Sequence, residues 1–488
     1  MRKLIYLFLA LLIFACSDDS DSNANDTTPP VISLIGSSNV TVYQGDNFID
    51  EGATATDNVG GDLTSSITVS GNVDTTIIND YILTYSVSDT SGNSASASRN
   101  VSVVEPLVCL NGEIVYLDAN GITVKACPNA QVGDTGNING FTYTVVSEQQ
   151  LRDYVNSNYP ELNRLVTSQI TNMQELFLSA VINQPIGNWD VSNVTNMNSM
   201  FQQSEFNQPI GSWNMSKVTD MSGMFQSSSF NQDISSWDVS SVTEMQWMFS
   251  SNYFFNQDIS SWNVSNVTYM SYMFQNSNFN QPIGDWNVSN VTSMVGMFQN
   301  SNFNQPIGNW DVSNVTFMVD MFWNTTSFNQ PIGNWDVSNV TNMGKMFNST
   351  PFNQPIGDWD VSNVTDMYAM FSNSTFNQPI GNWDVSSVTY MGSMFQSSNF
   401  NQPIGNWDVS NVTYMRGMFQ QSEFNQPIGN WDVSNVTNMG RMFYYGQYFN
   451  QDLSSWSVDG VTNCYQFSTA TSSFWTLPQP NFTNCDPN

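Results

Sequence analysis

Between Ile182 and Phe467 the apolar residues of this chain return in one fixed order. Phe, Ile, Trp, Val, Val, Met and Met-Phe recur, spaced by polar residues, in the phrase Phe-Asn-Gln-Pro-Ile-Gly-Asn-Trp-Asp-Val-Ser-Asn-Val-Thr-x-Met-x-x-Met-Phe. Twelve tryptophans mark it, among them Trp189, Trp213, Trp237, Trp286 and Trp310, at a step of 24 residues that lengthens three times to 25. A fixed period of this size predicts a solenoid, in which one small unit buries its apolar side only by stacking on copies of itself.

Inside one unit the pattern changes period. Ile210, Trp213 and Met215 alternate with polar residues, which predicts a short strand with one buried face. Val218, Met221, Met224 and Phe225 fall at i, i+3, i+6 and i+7, which predicts a helix of about two turns, with Thr219 and the preceding Ser or Asn as capping oxygens. A polar loop closes the coil and has room for the three extra residues.

Upstream the texture differs. From 29 to 105, runs such as Val31–Ile35, Val40–Tyr43, Tyr81–Val87 and Ala97–Val104 are separated by Gly, Asn and Asp turns, the pattern of a small β-sandwich. Residues 106–165 read as a junction and N-terminal cap, with further strands and a helix opened by Ser147 and Gln150 as a capping box. Residues 166–467 hold a degenerate half repeat and the twelve full ones. In the last of these Cys464 takes the first methionine slot, so 468–488 reads as a C-terminal cap. The fold class expected is multidomain: an all-β sandwich, then an α/β solenoid of one short parallel strand and one short helix per coil.

The first residues are an address. Met1-Arg2-Lys3 is basic, Leu4–Phe14 is apolar but too short to span a bilayer as a mature helix, and Cys16 follows Ala15. This resembles the bacterial lipoprotein signal, which implies that residues 1–16 direct export and that Cys16 carries lipid. Residues 17–28 are polar enough for a flexible tether, and Ser17-Asp18-Asp19-Ser20-Asp21 resembles the acidic export tag of Bacteroidetes surface lipoproteins. That resemblance implies the outer face of the outer membrane.

Two further resemblances rest on residues. Gly52-Ala-Thr-Ala-Thr-Asp-Asn58, Gly71-Asn-Val-Asp74 and Ser88-Asp-Thr-Ser-Gly-Asn93 resemble the immunoglobulin-like domains of bacterial surface and pesticidal crystal proteins, in which the domain is a spacer. The repeat resembles the leucine-rich-repeat-like surface proteins of the BspA type, with Met, Phe, Trp and Val in the leucine slots. It implies a surface location and adhesion, and no enzymatic activity.

Charge and chemistry narrow the reading. Ten Lys plus Arg face 41 acids, a net charge of -31. Nucleic acid is therefore excluded as a partner, because phosphate neutralisation needs basic clusters. The chain has no histidine, which removes the commonest general base and metal ligand. Cys109, Cys127, Cys464 and Cys485 suit an oxidising compartment and are disulfide candidates, Cys109 with Cys127 and Cys464 with Cys485. The singular residues of the repeats, Lys217, Trp247, Trp323, Lys345, Arg416 and Arg441, form no catalytic set, so no catalytic residue is assigned.

Stacking turns each repeat position into a ladder. The tryptophans read as core, because twelve exposed indoles would make a large adhesive patch. The asparagine of Phe-Asn-Gln (Asn207, Asn280 and Asn304 among twelve) reads as a buried amide that bonds backbone and the next coil. The residue after tryptophan points the other way: Asp190, Asp238, Asp311, Asp336, Asp360, Asp384, Asp408 and Asp432, with Asn in other coils. Three accounts of it are open: a cap on its own Val-Ser turn, calcium between rungs, or recognition of a cationic partner. In the sandwich, Asp57, Asp62 and Asp89 read as Asx turns, with calcium the alternative. The function expected is a monomeric surface scaffold that binds an extracellular protein or glycan, touching the membrane only through its lipid. It has no obligatory cofactor and no assigned metal, and carbohydrate capture is the alternative role.

Overall fold

The computed structural model describes residues 26–104, 109, 112–471 and 474–488, in two compact units divided at Leu110 and Asn111. Cys16, the signal and most of the tether lie outside the described residues.

The first unit is built from two sheets. Strands β1 (Val31–Leu34), β3 (Ala53–Asp57) and β4 (Gly61–Asp62) form one, and β2 (Asn39–Tyr43), β7 (Ser94–Val104), β6 (Asn79–Ser88) and β5 (Thr68–Ser70) form the other in that order. Only β2 with β7 is parallel. Alternation sends Leu83, Tyr85, Val87, Val101 and Val103 inward. Strand β3 is absent from the sequence reading because Ala53-Thr-Ala-Thr offers no large apolar residue to mark a buried face, yet its Ala55 is 1% exposed. Arg99 is buried too. Its two terminal nitrogens pair with Asp50 and donate to the carbonyls of Ile35 and Gly52, while its Nε is buried without a partner. Tyr85 donates to the same Asp50 at 2.5 Å. Burial first, then that bond, pushes the phenol up to about 12.

The second unit opens with β8 (Val115–Leu117) paired to β9 (Val124–Ala126), and β10 (Thr135–Ile138) paired to β11 (Phe141–Val145), which also pairs with β12 (Leu165–Val166). Helix α1 (Glu148–Asn156) starts at a complete capping box of Ser147 and Gln150. Its Leu151 and Val155 join one apolar core that runs from Val146 through every repeat to Trp475.

The repeats differ from the expected strand and helix. Among the described residues, none of the coils contains a helix. In the Met-x-x-Met-Phe segment alternate amides leave their own coil: Met221, Gly223, Phe225 and Ser227 donate to the carbonyls of Glu244, Gln246, Met248 and Ser250 one coil on, at 2.8–3.0 Å. The amides between them, at Met224, Gln226 and Ser228, turn back three residues to Met221, Gly223 and Phe225. A helix would keep all of these bonds within one coil. Every fourth residue is left-handed instead, as at Gly223 (φ 62°) and Ser227 (φ 54°), so successive turns reproduce the apolar spacing of a helix without forming one. The strand is displaced as well. Trp213 and Met215 are buried around a half-buried Asn214, but the parallel β-bridges fall at the residue before the first methionine, as in Asp220 to Glu244.

The core is a set of stacked columns. Trp213, Trp237, Trp286 and Trp310 are 3% exposed, Trp189 is fully enclosed, and each indole N–H donates to a carbonyl of the coil before it, as from Trp310 to Ile283 at 3.0 Å. Phe225 lies 4.0 Å from Phe230 within a coil and 5.7 Å from Phe249 in the next, with rings near parallel. The asparagine ladder stands at the rim: Asn207, Asn280 and Asn304 are half-buried, not enclosed as the sequence suggested. Asn207 Oδ1 accepts the backbone N–H of Asn231 at 2.9 Å and the side-chain amide of Gln232 at 3.0 Å. The side-chain oxygen alone joins the coils, so the residue need not be enclosed. A 25-residue step is absorbed in the loop, where buried Asn252 accepts the N–H groups of Phe254 and Phe255.

The C-terminal segment imitates a next coil. Thr476 takes the bond to Asn450 Oδ1 that a following asparagine would take, Trp475 donates to Gln451, and a disulfide joins Cys464 to Cys485. Cys109 and Cys127 are also disulfide-bonded.

Candidate functional site

The acidic ladder is occupied by local structure. In Asp190, Asp238, Asp311, Asp336, Asp360, Asp384, Asp408 and Asp432, Oδ1 accepts the N–H of the serine two residues on, at 3.0–3.1 Å. Asn214, Asn263 and Asn287 make the same bond at 3.1–3.2 Å. The position therefore requires an acceptor and not a charge. The serine hydroxyl, then its backbone N–H, holds Asp311, Asp360, Asp408 and Asp432 below the usual carboxylate range. Asp432 opposes this slightly at Asp408. Asp190 is buried, Asp238 is half-buried and the other six are exposed.

A second set of positions varies where everything around it is constant. It comprises the residue before the first methionine and the two after it, where the turn ladder reaches the surface. Trp247, Tyr269, Phe317, Tyr368, Tyr390 and Tyr465 all stand exposed there. The columns pack along the solenoid: Trp247 and Tyr272 lie 5.9 Å apart with planes 4° from parallel, and Tyr390 and Tyr414 lie 5.3 Å apart. Lys345 places its ammonium 4.7 Å from the ring centre of Trp323. Two glycines make room for rings. A Cβ on Gly296 would meet the Tyr272 ring at 2.4 Å, and one on Gly392 would meet Tyr414 at 2.5 Å.

The backbone adds a second observation. The second residue after the methionine is left-handed in coil after coil, glycine at 223, 296 and 417, but Trp247, Tyr272, Asp320, Lys345 and Arg441 elsewhere. A bulky side chain in that conformation costs roughly 1–2 kcal/mol, which glycine avoids. Asp320 in this column has a buried Oδ1 without a hydrogen-bond partner. Burial raises its carboxyl, and Lys345 pulls it part of the way back.

The sequence reading placed the candidate contacts on the acidic ladder and missed this strip. Its signal was available: large aromatic or charged residues at fixed x positions of a nearly invariant phrase. Of the six singular residues, Trp247, Lys345, Arg416 and Arg441 occupy the strip and Trp323 packs on Lys345. Lys217 does not; it donates to Asn193 in the preceding coil at 2.8 Å.

Four overlapping stretches, 147–229, 205–302, 276–382 and 370–478, match the family described as Mycoplasma protein of unknown function, DUF285. The chain belongs to that family. Residues 32–103 match the family described as bacterial surface protein, Ig-like domain. Together these make the chain a bacterial surface protein built of an Ig-like domain and a repeat region. Among solved structures, one similar chain is a lipoprotein from Bacteroides thetaiotaomicron, 25% identical over 16% of this chain and 39% of that one, with a TM-score of 0.15. The chain thus spans well under half of that lipoprotein's length. None of the curated proteins matches.

Proposed function

We propose that this protein is a lipid-anchored binding scaffold of the bacterial cell surface, which contacts an extracellular partner through the variable strip of its solenoid. The observation that carries this reading is the strip itself. Exposed aromatic side chains recur at three neighbouring positions of the coil, and Trp247, Tyr272, Lys345 and Arg441 stand there on left-handed residues where glycine would be less strained. Backbone strain tolerated at the surface has no stacking role to explain it, since Gly223 and Gly417 hold the same ladder.

In this reading Cys16 bears the lipid, the tether and Ig-like unit set the solenoid off from the outer membrane, and the acidic ladder caps turns. The lipoprotein pattern of the first sixteen residues supports the anchor. Neutral glycan is a second reading of the partner, favoured by the paired rings Trp247 with Tyr272 and Tyr390 with Tyr414, whose faces suit sugar rings. The test is a binding screen against matrix proteins and neutral polysaccharides, using the chain and a variant with Trp247, Tyr390 and Tyr414 changed to Ala. Binding lost in the variant and kept on replacing Asp360 and Asp384 by Asn supports the strip; the opposite pattern returns the contact to the acidic ladder. Protease shaving of intact cells tests the location, and survival of the protein would refute it.

A further inference from the structure

Three carboxylates of the Ig-like unit converge although they come from separate segments. Asp26 precedes β1, Asp57 ends β3 at its turn into β4, and Asp89 opens the turn from β6 to β7; one oxygen from each lies within 4.8 Å of the other two. Asp89 is 8% exposed. Its Oδ1 accepts the N–H groups of Ser91 and Asn93, and its Oδ2 accepts Asn93 Nδ2, so the carboxylate is held rigidly toward the cluster. Asp57 Oδ2 is taken by the N–H groups of Val59 and Gly60, and Asp26 Oδ1 by Thr28 and Asn58.

The remaining oxygens are the independent sign. Asp57 Oδ1 and Asp26 Oδ2 each expose less than 1 Å² and receive no hydrogen bond. A sealed carboxylate oxygen without a donor is costly, and two of them beside a third carboxylate repel as well. Among the described residues of the unit, no side chain neutralises them. Arg99 is the one basic residue between 26 and 104, and it is committed to Asp50.

We propose that Asp26, Asp57 and Asp89 form a calcium site that fastens the start of the Ig-like unit to its turns. Calcium takes oxygen ligands at roughly 2.3–2.6 Å, so ligand oxygens spread up to about 5 Å apart fit around one ion, whereas magnesium at roughly 2.0–2.1 Å requires a tighter set. The unbonded oxygens of Asp26 and Asp57 supply two ligands and Asp89 a third, with water completing the shell. The ion replaces the missing donors of both sealed oxygens at once. It also ties Asp26, whose carbonyl already accepts Asn93 Nδ2, to both turns.

The test is calorimetric titration of calcium chloride into the full chain after removal of divalent ions with EGTA. The expected result is one saturable site with Kd of about 1 mM or tighter, the range of extracellular modules. Asp57→Asn keeps an oxygen for its turn and should weaken binding at least tenfold. Asp62→Asn, which changes a carboxylate that only caps Thr64, should bind like the parent. Circular dichroism checks folding, and Asp26→Asn, outside every strand, replaces Asp57→Asn if that variant does not fold. Absence of any binding heat in the parent up to 10 mM calcium, or parent-like binding by the folded variant, overturns the proposal.

Discussion

Trp383 donates its indole N–H to the carbonyl of Ile356, one coil earlier, at 3.0 Å, while its ring is 97% enclosed. The same bond recurs up the solenoid, so each tryptophan is at once core and inter-coil fastener. Replacing Trp383 by Phe keeps most of the apolar contact but leaves the Ile356 oxygen buried and unpaired. The expected cost is about 1–3 kcal/mol. Trp383→Ala, which also opens a cavity, should cost about 3–5 kcal/mol. Urea unfolding of the three proteins orders them, and equal stability of Trp383→Phe and the parent would refute the fastener role.

The rim amides make a separate prediction. Asn353 Oδ1 accepts the N–H of Asn377 at 2.9 Å and the side chain of Gln378 at 3.1 Å. Asn353→Ala should lower stability by about 1–2 kcal/mol. Hydrogen exchange at the Asn377 amide should quicken more than exchange at the Phe371 amide, which donates to Met394 in the ladder of turns. Unchanged exchange at Asn377 would argue against the amide as the joint.

Replacing Asp360 and Asp384 by Asn should leave urea stability within about 0.5 kcal/mol of the parent, because Asn263 and Asn287 hold the same turn. Replacing both by Ala removes the acceptor and should be clearly destabilising. For Asp311, Asp360, Asp408 and Asp432 the folded carboxyl is held below its unfolded value. Their contribution is therefore complete above the unfolded pKa, about 3.9, and fades as pH falls through the folded one. An acid titration of the parent and the Asn variant, followed by circular dichroism, should separate the two only below about pH 4.

Asp320 has the opposite sign. Burial raises its carboxyl, so the folded state holds its proton more tightly and stability falls as pH rises through that range. Asp320→Asn should melt above the parent at pH 7, and the gap should narrow toward pH 3. A variant less stable than the parent at pH 7 would show that the carboxylate is satisfied in solution.

Much of this architecture could be read from residues. The repeat, the enclosure of Trp213 and Phe225 and the capping box at Ser147 follow from period and residue type. The helix at Val218–Phe225 did not survive, for a definite reason. Apolar spacing reports which side chains face inward, and two successive turns with left-handed residues at 223 and 227 face the same ones inward as a helix does. What separates the two is the destination of the backbone amides, which pattern alone does not carry. The strip is less legible because the acidic position is the most regular polar one, whereas Trp247 and Tyr390 stand out only as exceptions in their columns. Asp26 was missed beside Asp57 and Asp89 because it lies 31 residues from the nearer of them in sequence.

The imitation of a next coil by Thr476 and Trp475 has a bearing on how such a chain changes over generations. Each coil meets only its two neighbours, and the closing segment is tied to the last coil alone, through Asn450, Gln451 and the Cys464–Cys485 disulfide. Duplication or loss of one internal 24-residue unit therefore keeps the same kinds of joint and alters reach and the number of display positions. Recombination between near-identical repeats can lengthen or shorten the molecule like a folding rule, while point changes in the strip rewrite what it presents.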